Sequence, residues 1–226
     1  MPTVKRMVCL ANSRKLNGRC IAGKELIADR SGGWLRPVSA RENEEVSEYE
    51  RQYPDGSDPR VLDIIDVPLV AARPKAFQQE NWLLDPHQYW EKVGRMQWTD
   101  LARFVDPVAP LWIDDYHTRN GLNDEVPLSQ AGAIESSLRL LHVKSLTLSV
   151  FRPGPKRRVQ GRFRHGGNEY RLWITDPRYE QTYLAQPDGV HEIGESYLTV
   201  SLSEPFNDAS YKLIAAIMER AGGPAS

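Results

Sequence analysis

Residues 144–175 read KSLTLSVFRPGPKRRVQGRFRHGGNEYRLWIT, and this stretch gives the clearest indication of the fold. It combines two strand-like segments, a tight turn and dense positive charge. The paired glycines Gly166 and Gly167 supply the positive φ values that a two-residue connection between antiparallel strands needs. We therefore predict a basic β-hairpin centred on these two glycines.

The residue types on this hairpin fit two interpretations. Arginine neutralises phosphate and an aromatic face stacks on a base, so the hairpin has the composition of a nucleic-acid surface. Alternation alone also places arginines outward and aromatic residues inward, in which case Tyr170 and Trp173 belong to the core of a solvated amphipathic hairpin. The sequence leaves both interpretations open.

The length and composition set the class of protein. With 226 residues and 40% hydrophobic residues, the chain is expected to form one large or two small domains with a substantial core. It has two cysteines and no apolar N-terminal signal segment, so we expect a cytoplasmic protein. The longest apolar run, Leu213–Met218, is too short to cross a bilayer, and no membrane insertion is expected.

Charge is segregated along the chain although the formal net charge is only -1. Lys and Arg exceed Asp and Glu in residues 1–41 and again in residues 136–171, whereas acidic residues dominate elsewhere. The local field, rather than the net charge, steers an anionic ligand. The two basic blocks therefore predict an anion-binding surface, unless acidic and basic blocks neutralise each other in the fold.

The first part of the chain reads as short strands with one short helix. The predicted strands are Val4–Ala11, 19–29, Trp34–Val38 and Asp63–Ala72, with turns at Leu16-Asn17-Gly18 and Ser31-Gly32-Gly33. Ser39 and Glu42 have the spacing of a capping box, which predicts a helix from there to about Arg51. Because no strand is followed by a long crossover helix, these pieces fit an OB-like Greek-key barrel better than a βαβ fold.

The second part repeats this pattern after a change of period. Apolar residues in 81–109 recur at three- and four-residue steps, which predicts one or two helices, and residues 109–134 read as an irregular connection. Further strands are predicted at Leu138–Phe151, Gln181–Ala185 and Tyr197–Leu202, on either side of the hairpin arms. An amphipathic helix is predicted over 207–221.

These elements together predict a mainly β chain with helices (α+β), made of two OB-like Greek-key barrels joined by a helical and irregular acidic segment. The first OB-like domain spans 1–110 and includes the helical segment. The connecting segment spans 111–135. The second OB-like domain spans 136–226 and ends in the C-terminal helix.

Several phrases of the sequence point to a family. CLANSRK, GRCIAGKEL, GWLRPVSAR, DIIDVPL, YLTVSLSEPF and YKLIAAIM occur in this order over nearly the whole chain. In this order they resemble the bacterial dual OB-containing domain family. The resemblance implies two OB-like barrels in one chain and, from the barrel type, binding of nucleic acid or nucleotide. The phrases carry no catalytic signature, so no active-site residue is transferred.

No motif requires an enzyme. Gly18 to Lys24 matches the G-x-x-x-x-G-K of a phosphate-binding loop, but Glu25 replaces the Ser or Thr that would coordinate magnesium, and a strand follows where a helix is needed. The densest ligand-like group is Asp114, Asp115 and His117, in an acidic stretch of a kind that usually faces solvent. We predict no catalytic residue, no metal and no cofactor.

We predict a nucleic-acid-binding protein that slightly prefers single strands, DNA or RNA, and uses two basic strand-turn surfaces. The predicted contact residues are Arg14, Lys15, Arg19, Arg30, Trp34, Arg36, Lys156, Arg157, Arg158, Arg162, Arg164, Tyr170, Arg171 and Trp173. One alternative is a nucleotide- or small-anion-binding enzyme or sensor in which the same arginines converge in a pocket. The other is a protein-interaction module that pairs with an acidic partner or with itself.

Overall fold

The computed structural model describes residues 3–28 and 30–220. The chain divides into two compact units, 1–104 and 105–226, and only the described residues of each unit are considered below. The end of the predicted second domain, 221–226, and residues 1, 2 and 29 lie outside the described part. The predicted connecting segment, 111–135, belongs to the second unit.

The first unit contains six strands, one α-helix and one 3-10 helix among its described residues. They are β1 Thr3–Lys15, β2 Gly18–Ile27, β3 Arg30–Val38, α1 Glu48–Arg51, β4 Asp63–Ala72, β5 Asn81–Leu84, β6 Glu91–Arg95 and the 3-10 helix Trp98–Phe104. The strands join in the order β1-β2-β3-β5-β4, and β4 also pairs with β1, which closes a five-stranded barrel. β3 and β5 run parallel, and the other pairs in the barrel are antiparallel.

The second unit repeats this strand order. Its elements are β7 Glu125–Pro127, the 3-10 helix Leu128–Ala133, β8 Leu138–Phe151, β9 Arg158–His165, β10 Asn168–Ile174, α2 Pro177–Leu184, β11 Gly189–Leu202 and β12 Ala209–Glu219. The ring runs β8-β9-β10-β12-β11 and returns to β8, with β10 and β12 parallel at Trp173–Leu213 and Ile174–Ile214. In both units a helix connects the third barrel strand to the fourth, so both are OB-like barrels and the predicted fold class is confirmed.

Each barrel is filled by inward side chains from alternate strand positions. Ile21, Leu35 and Ile65 are among the buried residues inside the first barrel. Phe163 and Ile214 are among those inside the second. Since alternate residues of a strand face opposite sides, the residues between these core positions point away from the barrel interior.

Several predicted elements are confirmed. Asp63–Ala72 and Leu138–Phe151 are strands with the predicted bounds. The hairpin turns at Gly166 and Gly167, both with positive φ, and His165 pairs with Asn168. The turn at residues 16–17 also lies where the sequence placed it.

The prediction of one or two helices over 81–109 is wrong, apart from one short 3-10 helix. This stretch folds into β5, β6 and the 3-10 helix Trp98–Phe104. β5 buries Leu84 and the 3-10 helix buries Leu101 and Phe104, whereas β6 buries no apolar residue. Their combined spacing along the sequence imitates the period of one helix, although no single helix uses it.

The predicted C-terminal helix is wrong as well, because Ala209–Glu219 is strand β12. This strand lies between β11 and β10 and pairs with β7 at its start, and it is buried on both faces over most of its length. The sequence of a strand buried on both faces is apolar at nearly every position. Because polar and apolar residues do not alternate in it, its pattern cannot be distinguished from that of a buried helix.

Three smaller predictions are also wrong. The helix in the first unit begins after Ser47, where Ser47 and Glu50 form the capping box, and no helix begins at Ser39. Residues 31–33 lie inside β3 instead of forming a turn. Gln181–Ala185, predicted as a strand, lies on α2 and its C-cap. Asp176 caps the N-terminus of this helix and Pro177 is its first residue, and these helix-start residues outweigh the short run of strand-forming residues.

Candidate nucleic-acid interface

The outer face of β8, β9 and β10 is basic. Val159 and Phe163 of β9 point into the core, so Arg162 and Arg164 lie on the opposite, exposed face. Arg162 pairs with Arg171 on β10 across the sheet. The structure therefore brings three of the predicted arginines together on one surface.

One acidic side chain lies among these arginines. The Arg162 Nη2 donates a hydrogen bond to Glu169 at 2.8 Å, and the Arg162 side chain stays 59% exposed. This hydrogen bond raises the pKa of the Arg162 guanidinium and lowers the pKa of the Glu169 carboxyl. Such an exposed pair has a small net stability, so phosphate can compete for the guanidinium.

An aromatic pair lies at the other end of the same face. The rings of Phe151 on β8 and Trp173 on β10 stack with centroids 5.8 Å apart. The guanidinium carbon of Arg158 on β9 lies 4.3 Å from the centroid of the Trp173 ring. All three side chains are half-buried, and they place aromatic surface next to a cation, the two features that a stacked nucleotide contacts.

Trp173 and Arg158 line a cleft of about 880 Å³. Three segments border it: the loop 152–157 between β8 and β9, the loop 203–208 between β11 and β12, and the segment 116–124. The residues that line it are Thr118, Arg119, Asn120, Asp124, Pro153, Gly154, Pro155, Lys156, Arg158, Trp173, Ser203, Glu204, Pro205, Phe206, Tyr211 and Leu213. The cleft lies wholly within the second unit.

Phe206 is the most exposed aromatic side chain in this cleft, at 65%. Its backbone is held by hydrogen bonds in both directions with Ala209, and Asn207 and Asp208 between them have positive φ. These are the values of a tight hairpin turn. The turn therefore has a defined backbone and presents an exposed ring in the cleft that Trp173 also lines.

A second cleft, of about 610 Å³, continues the basic face. It is lined by Lys144, Arg162, Arg164, His142 and His165, among others. Along β9, alternate residues are about 6.6 Å apart, so the residues from Arg158 to Arg164 span roughly 20 Å. Between Arg158 and Arg162, Gln160 is buried and donates to the Asn120 carbonyl, so this face offers basic surface on both sides of the segment 116–124.

Two predicted contact residues of the second unit have structural contacts instead. Tyr170 is 0% exposed and its hydroxyl donates to Asp114 at 2.6 Å, so it cannot stack on a base. Arg157 donates to Asp188, to the Leu184 carbonyl and to the Gln186 carbonyl. These last two carbonyls lie at the C-terminal end of α2, where cationic side chains are favourable.

The predicted residues of the first unit are differently placed. Arg36 is buried and forms an ion pair with the buried Glu80 at 3.0 Å, so it is not a surface phosphate contact. Trp34 pairs with Lys24 across the sheet, and the Lys24 Nζ lies 5.3 Å from the Trp34 ring and donates to the Phe104 carbonyl. The end of the 3-10 helix thus lies against the outer face of β2 and β3.

The other basic residues of the first unit that were predicted as contacts lie at or near hairpin turns. Arg14 and Lys15 end β1 and Arg19 begins β2, with Arg14 and Arg19 directly paired. Arg30 is exposed at the start of β3. Burial thus separates Arg36 from the group around the β1–β2 turn, whereas Trp34 is half-buried like Lys15 and Arg19.

The model of the dual OB-containing domain family matches residues 5–217, which is nearly the whole chain. The chain belongs to this family. The match agrees with the strand order of both barrels and confirms the resemblance seen in the sequence phrases. No match to the chain is found among curated proteins or among solved structures.

Three residues of this dual OB protein lie in or beside the cleft and were not among the predicted contacts: Phe151, Phe206 and Arg119. Phe206 follows Pro205 and precedes Asn207-Asp208, and an apolar ring in such a turn-rich stretch is a usable signal for an exposed position. Phe151 and Arg119 have no comparable signal, because their contribution depends on which strands and loops meet in space.

Of the predicted ligand-like group, Asp114 belongs to a buried polar network of the second unit, whereas Asp115 and His117 are exposed. The Lys212 Nζ, 0% exposed, donates to Asp114 Oδ1 at 2.8 Å and to the Ile113 carbonyl at 2.6 Å. Burial lowers the pKa of Lys212, and its contact with Asp114 opposes that shift. Within residues 3–28 and 30–220, no group of three or more His, Cys, Asp or Glu side chains is arranged to hold a metal ion.

The helices of the described chain are short. Within the described residues, none has the length and apolar character that crossing a membrane would require.

Proposed function

We propose that the second barrel of this dual OB protein binds single-stranded nucleic acid across the outer face of β8, β9 and β10. The observation that carries the proposal is the position of Trp173, stacked on Phe151 beneath Arg158, in the cleft between the loops 152–157 and 203–208. In OB folds, the second and third strands and the loops joining strands one to two and four to five bind oligonucleotides. The cleft lies at those positions.

The arginines on the same face supply the electrostatic part of binding. Arg162, Arg164 and Arg171 lie on adjacent strands with Glu169 as the neighbouring acid. Neutralised phosphates release counterions, which makes the affinity dependent on salt. A chain with a formal net charge of -1 depends on such a local surface to attract a polyanion.

The preference for single strands follows from the aromatic residues. Stacking on Trp173 or Phe206 requires an exposed base face, and in a duplex both faces of an internal base are covered by its neighbours. Base stacking contributes about 1–3 kcal/mol per base. We therefore expect a single strand to bind more tightly than a duplex of the same sequence. The same preference is expected for DNA and for RNA.

The test is fluorescence anisotropy with labelled single strands of DNA and RNA and with the matching duplexes. Phe206→Ala should weaken single-strand binding roughly 5- to 150-fold, which corresponds to the loss of one stacked base. Tyr89→Ala is the matched control, because Tyr89 is an exposed loop aromatic, at 56%, in the first unit. It should leave affinity unchanged.

Two outcomes would reject the proposal. The first is equal affinity of Phe206→Ala and the wild-type protein for every oligonucleotide. The second is an affinity that hardly changes between low and moderate salt, which would contradict phosphate neutralisation. Saturable binding of mononucleotides, with no gain for longer strands, would favour the nucleotide-binding alternative.

The basic residues near the first unit's β1–β2 turn are proposed as an additional backbone contact. Arg14, Lys15 and Arg19 lie at that turn, and Arg30 is exposed at the start of β3. Replacing Arg14 and Lys15 together by Ala should lower the salt dependence of binding without changing the preference for single strands. An unchanged salt dependence would restrict the interface to the second barrel.

A further inference from the structure

The segment 116–124, here called the cleft loop, forms one side of the cleft in the second unit. Thr118, Arg119, Asn120 and Asp124 all line the cleft. We propose that the cleft loop presents Arg119 as a phosphate ligand for a nucleotide whose base occupies the cleft. This inference rests on the proposed function and names a binding residue and a subsite for it.

The cleft loop is held in shape by its own polar contacts. The Thr118 backbone N–H and hydroxyl donate to the two carboxylate oxygens of Asp124, at 2.8 and 2.7 Å. Gly121 donates its N–H to the Thr118 hydroxyl at 3.1 Å. A Cβ on Gly121 would collide with the Asp124 carboxylate, so only glycine fits at this position.

The cleft loop is also fixed to the barrel. Leu122 and Arg171 exchange two backbone hydrogen bonds, at 3.2 and 3.0 Å. The Gln160 side chain donates to the Asn120 carbonyl at 2.8 Å. These contacts set the position of residues 119 and 120 relative to β9 and β10, where Arg158 and Trp173 lie.

Cationic and aromatic side chains enter the cleft from separate segments. Arg119 comes from the cleft loop, Lys156 from the loop between β8 and β9, and Arg158 from β9. Trp173 and Phe206 supply the aromatic surface. Two acidic residues also line the cleft: Asp124 is buried and accepts hydrogen bonds from Thr118, and Glu204 lies on the loop between β11 and β12, on a different segment from Arg119. The combination fits a phosphate next to a planar base, and a cleft of about 880 Å³ is large enough for a ligand of nucleotide size.

The test is a salt titration of single-strand binding with Arg119→Ala, Arg119→Lys and Gly121→Ala. Removing one phosphate contact should lower the slope of log affinity against log salt by about 0.7 to 1. Arg119→Lys should keep that slope because the charge stays. Gly121→Ala should weaken binding as Arg119→Ala does, because it displaces Asp124 and with it the cleft loop.

Exposed Arg119 can be replaced without removing a core contact, so thermal unfolding of Arg119→Ala should match the wild-type protein. A wild-type slope and affinity for Arg119→Ala, with binding still weakened by Phe206→Ala, would overturn this inference and leave the proposed function intact. A wild-type protein that binds no oligonucleotide would overturn the proposed function and this subsite together. An oligonucleotide of equal length with abasic residues should lose the effect of Phe206→Ala but keep that of Arg119→Ala.

Discussion

The guanidinium carbon of Arg158 lies 4.3 Å from the centroid of the Trp173 ring, whereas the preceding Arg157 is hydrogen-bonded to the end of α2. Two adjacent arginines thus have different roles, one in the cleft and one in the framework. Arg157 lies in the loop just before β9 and its side chain reaches the end of α2, whereas Arg158 begins β9 and lies on the outer face beside Trp173. This difference separates effects on binding from effects on stability.

Replacing Arg157 by Ala should destabilise the fold. The change leaves the Leu184 and Gln186 carbonyls without their guanidinium donor and removes the ion pair with Asp188. We expect a loss of about 1–3 kcal/mol in the free energy of unfolding, measured by urea denaturation. Lys156→Ala is the control, because Lys156 is exposed in the same loop, and it should leave stability unchanged while weakening oligonucleotide binding. The reverse pattern would show that the roles of the two residues are exchanged.

Replacing Arg162 and Arg164 together by Ala should reduce the salt dependence of binding. Each phosphate contact to a single strand contributes about 0.7 to the slope of log affinity against log salt, so the double variant should lose about 1.4. The measurement is anisotropy over a series of salt concentrations.

Arg178→Ala is the control for this pair, since Arg178 is an exposed arginine in the first turn of α2 and outside the basic face. Its slope should equal that of the wild-type protein. If Arg178→Ala lowered the salt slope as much as the double variant does, the effect would come from net charge and not from the basic face.

Replacing Asp114 by Ala should strongly destabilise the second barrel. Lys212 is 0% exposed, and without Asp114 its ammonium group keeps the hydrogen bond to the Ile113 carbonyl but loses its carboxylate partner. Breaking a buried ion pair by removing one partner costs about 3–5 kcal/mol. The measurement is the free energy of unfolding from chemical denaturation.

The double variant Asp114→Asn with Lys212→Met removes both charges and keeps an acceptor for the Tyr170 hydroxyl. It should be more stable than Asp114→Ala, because no buried charge remains unpaired. If the double variant is the less stable one, the network stabilises the barrel through the ion pair itself.

Cys9 should resist alkylation in the folded protein. Burial raises the pKa of the Cys9 thiol to about 12, and the thiolate is the reactive form. At about pH 8, iodoacetamide should therefore label the partly exposed Cys20 first and label Cys9 only in denaturant, as read by mass spectrometry. Equal labelling of both residues in native buffer would contradict the burial of Cys9.

The same shift gives a pH dependence of stability. The folded pKa of Cys9 is above the unfolded value of about 8.5, so its contribution is fully present below that pH. It decreases as pH rises toward 12, because only the unfolded chain loses the proton in that range. Cys9→Ala should show a smaller loss of stability on going from pH 8 to pH 10.

The sequence alone determined the hairpin around Gly166 and Gly167, the strands β4 and β8, and the outward position of Arg162 and Arg164. These features depend on local properties, namely turn geometry and two-residue alternation, which a single strand displays when only one of its faces is buried. The resemblance of the sequence phrases to the family indicated that the chain forms two barrels. The hairpin and its outward arginines together predict the basic face of the second barrel.

Only the tertiary structure decided the remainder. β12 has no alternation because it is buried on both faces, and Tyr170 and Arg36 are removed from the surface by partners distant in sequence, Asp114 and Glu80. The cleft depends on loops from three parts of the chain meeting beside Trp173. Such meetings are set by strand pairing between distant segments, which local residue patterns do not encode.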